Sequence, residues 1–130
     1  MGFLTVNGRP TIQAGFTLLE MMIVLAIIAL LLTISAPRYF QHLDRAKENA
    51  LKQTLFIVRD AIDKYQTDKG RFPESLDHLV TDHYLRQRPF DPITERSDTW
   101  VVRTNEYGGI EDLHSSAPGK AIDESLYSDW

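Results

Sequence analysis

From Phe16 to Ala36 the chain is apolar on every side, broken only by Thr17, Glu20, Thr33 and Ser35. After Pro37 the pattern becomes periodic. Leu43, Leu51, Leu55, Val58, Ile62 and Tyr65 recur at helical spacing with Ala46, Ala50 and Ala61 beside them. Asp44, Arg45, Lys47, Glu48, Lys52 and Asp60 fall mostly elsewhere, so the stripe predicts an amphipathic helix whose apolar face packs on a globular domain. A coiled-coil seam with another protein is the rival use of the same stripe. One helix is therefore expected from about Phe16 to about Asp68, kinked or loosened at Pro37, which has no backbone N–H to donate. Gly70 marks its end, and Phe72-Pro73 leads into a short helix around Glu74 to Thr81, with Leu76, Leu79 and Val80 turned inward. The prolines of Pro89-Phe90-Asp91-Pro92 predict irregular chain. Thr99 to Arg103 reads as a strand, Asn105 to Gly109 as a turn, and Ile110 to Leu113 as its antiparallel partner. The fold class is α+β: a long protruding N-terminal helix packed on a short helix and a small antiparallel sheet.

The apolar run, at about 1.5 Å per residue, spans roughly 30 Å and suffices for a bilayer core. A buried core helix is disfavoured, because a chain of 130 residues has too little left to wrap it. A secretory signal peptide would be cut after the run, where Ser35-Ala36-Pro37 is a poor site. A permanent anchor accounts for the length and leaves Glu20 unexplained. An ionisable group in hydrocarbon costs about 2.5 to 3.5 kcal/mol on insertion scales, so Glu20 needs a partner. The run offers none. A cut between Gly15 and Phe16 would create an α-amine at similar depth, able to pair with Glu20 of another copy.

Gly15-Phe16-Thr17-Leu18-Leu19-Glu20, followed by this apolar run, resembles the signal of the type IV pilins and type II secretion pseudopilins. Tyr65-Gln66-Thr67-Asp68-Lys69-Gly70-Arg71-Phe72-Pro73 and Pro89-Phe90-Asp91-Pro92 are similar to further pseudopilin patterns, most like the major, G-type subunit. The resemblance implies a leader over residues 1–15, cleaved after Gly15 by a prepilin peptidase, with N-methylation of Phe16. It implies a transmembrane helix over 16–36 and a periplasmic domain over 37–130, held by a single pass in a bacterial inner membrane. Charge counting alone points the other way, since Arg9 precedes the run while Arg38, Arg45, Lys47 and Lys52 follow it. The resemblance is followed here.

Composition narrows the chemistry. The formal charge is −4 with no basic stripe interleaved with aromatics, so no nucleic-acid partner is expected. There is no cysteine, which excludes disulfides, thiol catalysis and cysteine-based zinc sites. From Glu106 onward only Lys120 opposes Glu106, Glu111, Asp112, Asp123, Glu124 and Asp129. Clustered carboxylates suit calcium, and the resemblance implies a calcium loop in this region, with Asp123 and Asp112 as its ligands here. The loop departs from the family's pattern: Ser116-Ala117-Pro118-Gly119 lacks one carboxylate, and Lys120 adds a cation. A solvated acidic loop is the competing reading. Asp112, His114, Ser115 and Ser116 cannot converge as a triad from one strand, and His78 and His83 lack a third ligand. No catalytic residue is expected.

The function expected is a structural subunit of a type II secretion pseudopilus, a helical filament in the periplasm that helps drive protein export across the outer membrane. Its partners are further copies of itself, the prepilin peptidase, other pseudopilins and the inner-membrane secretion platform. Glu20 and Pro37 are the assembly residues, the proline softening the helix during extraction from the bilayer. A type IV pilin or pilin-like subunit of a related apparatus is the alternative, and a membrane-anchored periplasmic enzyme or binding module is the rival from another class.

Overall fold

The computed structural model describes residues 1–4, 8 and 14–130. Arg9 and much of the expected leader lie outside the described residues. The chain divides into two compact units, Met1–Arg38 and Tyr39–Trp130. Helix α1, Leu18–Lys69, contributes to both. No break appears at Pro37, which lies inside α1. The proline leaves the carbonyl of Thr33 without its i+4 donor, and the bonds of the adjoining turns continue the helix.

In the second unit α1 turns Leu51, Leu55, Val58, Ala61, Ile62 and Tyr65 into a core shared with Leu76, Leu79, Leu85, Ile110 and Leu113. Two positions differ from the pattern expected of the stripe. Leu43 stays exposed at 40%, because the domain begins to cover α1 only at Lys47 and Glu48. Glu48, read as an outward charge, is only 8% exposed. Gly70 closes α1 with a φ of 69°, its N–H donating to the Gln66 carbonyl at 2.9 Å. That left-handed conformation is easy for glycine and stops the helix. Helix α2, Leu76–Thr81, starts slightly later than expected because Ser75 is its cap, accepting from the His78 N–H at 3.3 Å.

Strands β1, Trp100–Thr104, and β2, Ile110–Ser115, pair antiparallel with Trp100 opposite Ser115 and Val102 opposite Leu113. Asn105 organises the turn: its side-chain oxygen accepts from Tyr107 N–H at 3.0 Å and Gly109 N–H at 2.8 Å. The register shifts between Arg103 and Thr104, whose partners Asp112 and Ile110 leave Glu111 as the extra residue of a bulge. That insertion explains why Ile110 and Leu113, three apart, are both buried. A 3-10 turn, Tyr127–Asp129, follows near the end of the chain.

The hairpin is seated against the loop after α1, where Ile110 N–H donates to the Pro73 carbonyl at 2.7 Å. Gly109 lies so close to this loop that a Cβ there would stand 2.7 Å from the Cβ of Phe72 and 3.3 Å from its carbonyl oxygen. Gly109→Ala is expected to lower stability by about 1–3 kcal/mol through overpacking. Thermal unfolding of the detergent-solubilised protein, followed by near-ultraviolet circular dichroism, checks this; an unchanged midpoint would remove Gly109 as a packing constraint.

Candidate processing and assembly site

The N-terminal unit presents its site at the start of α1. The Thr17 hydroxyl oxygen accepts from the Glu20 N–H at 3.1 Å, and the Thr17 carbonyl accepts from Met21 N–H at 3.1 Å. Thr17-Leu18-Leu19-Glu20 thus has the spacing of a capping box, with the threonine half formed. The reciprocal half is not. Among the described residues the Glu20 carboxylate has no hydrogen-bond or ion-pair partner. Its place in the first turn favours a negative charge by about 0.3–1 kcal/mol. Immersion in hydrocarbon costs more, about 2.5–3.5 kcal/mol, so the helix end alone does not stabilise it there.

Phe16 is exposed, as are all residues from Leu18 to Ala36. This part of α1 is long and apolar enough to cross a membrane. Its covering must therefore come from lipid or from other chains. Thr33, polar by composition, turns its hydroxyl onto the Ala29 carbonyl at 2.8 Å and needs no outside partner.

In the second unit the two carboxylates proposed for calcium are otherwise engaged. Asp112 accepts from the Nε of Arg59 at 2.7 Å and from its neighbour's Leu113 N–H at 2.8 Å, with Arg103 at 3.8 Å. Burial raises the Asp112 carboxyl, but the Arg59 and Leu113 hydrogen bonds and the charges of Arg59 and Arg103 outweigh it and hold the group below the ordinary carboxylate range. Asp123 is likewise lowered, by hydrogen bonds from the Ser125 hydroxyl and N–H. Calcium takes about six to eight oxygens at 2.3–2.6 Å. Among the described residues no group of three or more His, Asp or Glu is placed to hold a metal ion. The residues do not fit calcium.

Three residues that the sequence left in the background carry the architecture of this unit. Glu48 accepts from Ile122 N–H at 2.8 Å and the Tyr127 hydroxyl at 3.1 Å. Burial and the Glu48 contact push the Tyr127 hydroxyl up to about 12, so it stays protonated as a donor. Arg59 reaches the Leu113 carbonyl at 3.0 Å and the Trp130 carbonyl. Asp91, wholly buried, receives the Ser115 hydroxyl.

Residues 11–36 match the family model described as the prokaryotic N-terminal methylation motif. The type II secretion system core protein G of Klebsiella michiganensis is 27% identical, over 94% of this chain and 96% of its own. That of Pseudomonas aeruginosa is 30% identical over 62% of this chain and 68% of its own. This chain belongs to the G-type pseudopilin family. The competence protein ComGC of Halalkalibacterium halodurans is also similar, 37% identical over 72% of its length, but the match covers only 56% of this chain. No solved structure matches the chain. This G-type pseudopilin is a membrane-anchored, single-pass protein and a structural subunit of a type II secretion pseudopilus. It is a prepilin peptidase substrate that works among other pseudopilins.

Proposed function

We propose that the pseudopilin is cut between Gly15 and Phe16, methylated on the Phe16 amine, and assembled into a periplasmic filament through Glu20. Residues 1–15 are the leader, 16–36 the membrane segment, and 37–130 the periplasmic domain. The observation that carries this reading is the Glu20 carboxylate, without a partner among the described residues, in the first turn of the exposed apolar part of α1 that follows Gly15-Phe16. On extraction from the membrane, apolar helices exchange lipid for one another at little net hydrophobic cost. Glu20 then gains the Phe16 amine of a neighbour. Pro37, with one hydrogen bond fewer around it, is where α1 yields during the transfer. Contacts between copies are head-to-tail and leave an open, extendable filament. The subunit acts by assembly and carries no catalysis; its further partners are other pseudopilins and the inner-membrane platform.

Mass spectrometry of the protein purified from membranes tests the first step. In cells with a prepilin peptidase the mature chain is expected to begin at a methylated Phe16, and in cells without it to retain the segment up to Gly15. An unprocessed chain in both would overturn the reading. Similarity to the competence protein supports a second one, a pilin-like subunit of a related apparatus. Complementation separates the two: restored export in a strain lacking its own G-type subunit supports the secretion filament, and failure of export with surface pili supports the alternative.

A further inference from the structure

The acidic segment from Ala121 to Trp130 is folded onto α1 by side chains spaced four, three and four apart. Glu48, Lys52, Leu55 and Arg59 form one stripe of the helix. At one end Glu48 takes the Ile122 N–H and the Tyr127 hydroxyl. At the other, the Arg59 guanidinium joins Asp112, the Leu113 carbonyl and the Trp130 carbonyl. Between them Lys52 lies 4.2 Å from the Trp130 ring centroid. The segment also closes on itself. Ala121 N–H donates to the Ser125 carbonyl at 2.8 Å, and Trp130 Nε1 donates to the Ser125 hydroxyl at 2.7 Å.

A divalent cation binding Asp112 and Asp123 would join this acidic segment to the rest of the domain. Here that task is already carried out by fixed charges. Arg59 and Arg103 stand against Asp112, and Lys52 contributes to lowering Asp123. A metal would have to displace these cations or sit beside them, and like charges in a half-buried site repel strongly. We propose that Glu48, Lys52 and Arg59 form a built-in clasp that folds Ala121–Trp130 onto α1 without any divalent cation. Glu48 holds the segment by its amide and its tyrosine, while the two cations hold its far end. The inference concerns the folded subunit and does not depend on how the filament assembles.

Hydrogen exchange read by mass spectrometry on the full chain in detergent micelles tests the clasp. The Ile122 amide and its neighbours are expected to exchange equally slowly in a calcium chelator and in excess calcium. Glu48→Ala is expected to speed exchange there by about ten- to a hundredfold, the loss of a charge-assisted hydrogen bond, while amides of the β1–β2 hairpin stay protected. Glu48→Gln keeps an acceptor and should speed it less; should Glu48→Ala unfold the whole domain, this milder variant decides. Slower exchange of the wild type on adding calcium would overturn the proposal. So would unchanged exchange of Ile122 in both variants.

Discussion

Glu20→Gln is expected to leave the pseudopilin in the membrane and to stop filament growth. Glutamine removes the charge at nearly constant size, so insertion becomes easier and the apolar face of α1 is untouched. It is also as acceptable as glutamate at the third position of a capping box, so the cap on Thr17 survives. What it loses, in the proposed assembly, is the attraction to the Phe16 amine of a neighbour. Removing one partner of a buried ion pair costs about 3–5 kcal/mol because the other is left uncompensated. At about 1.4 kcal/mol per factor of ten, each subunit contact weakens by roughly two to three and a half orders of magnitude. A filament that grows by repeated addition amplifies that loss. Cell fractionation should show normal membrane levels, while recovery of filaments and export of a reporter should fall to background. Normal filaments from Glu20→Gln cells would mean that assembly is driven by helix packing alone.

The parts of this molecule legible in the sequence are those whose causes are local. The exposed apolar part of α1 is readable because its side chains up to Ala36 are almost all apolar, and Glu20 stands out against them. The buried face of α1 is readable from its 3.6-residue period, and the hairpin from the turn chemistry of Asn105 and Gly109. Glu48 was not, for a definite reason. It falls three and seven residues before Leu51 and Leu55, on the stripe that is buried, yet a carboxylate there looks like a solvent-facing charge until its partners are known. Those partners, Ile122 and Tyr127, lie more than seventy residues away and meet it only once the C-terminal segment has folded back. Arg59 is the same case. The one available signal was the alignment of Glu48, Lys52 and Arg59 along one side of the helix, with an acidic segment elsewhere needing a cationic seat. Leu43 errs in the other direction: it keeps the period, but the helix at that point has emerged from the domain. Calcium is suggested by carboxylates crowded in sequence; in the fold Asp112 is bound by Arg59, and among the described residues no group of three or more such side chains is gathered for a metal.

Asp91→Ala is expected to destabilise the domain about as much as the truncation of a fully buried core leucine. The Pro89-Phe90-Asp91-Pro92 turn was legible as irregular chain; that its carboxylate is 0% exposed was not. One Asp91 oxygen accepts from Ile93 N–H at 2.8 Å and Thr94 N–H at 3.2 Å. The other receives the hydroxyl of Ser115, itself 1% exposed and in turn accepting from Ala117 N–H at 3.0 Å. The side chain therefore ties the proline turn to the end of β2. Alanine leaves three donors without their acceptor, each worth about 1–3 kcal/mol when buried. Allowing for relaxation and water entry, a loss of about 3–5 kcal/mol is expected, a large share of the roughly 0.05–0.15 kcal/mol per residue that holds small domains together. Asp91→Asn keeps an acceptor for both amides and offers an N–H to Ser115, whose hydroxyl must then turn away, so it should cost about half as much. Trp100 is a suitable reporter, since its indole N–H donates to the Pro89 carbonyl at 2.9 Å and will sense release of the turn. Denaturant unfolding followed by tryptophan fluorescence should rank wild type above Asp91→Asn and Asp91→Asn above Asp91→Ala. In a cycle with Ser115→Ala, the double variant should lose clearly less than the sum of the singles, because the two side chains share one hydrogen bond. Strict additivity, or an Asp91→Ala protein as stable as the wild type, would show that the turn is held by its prolines and not by this carboxylate.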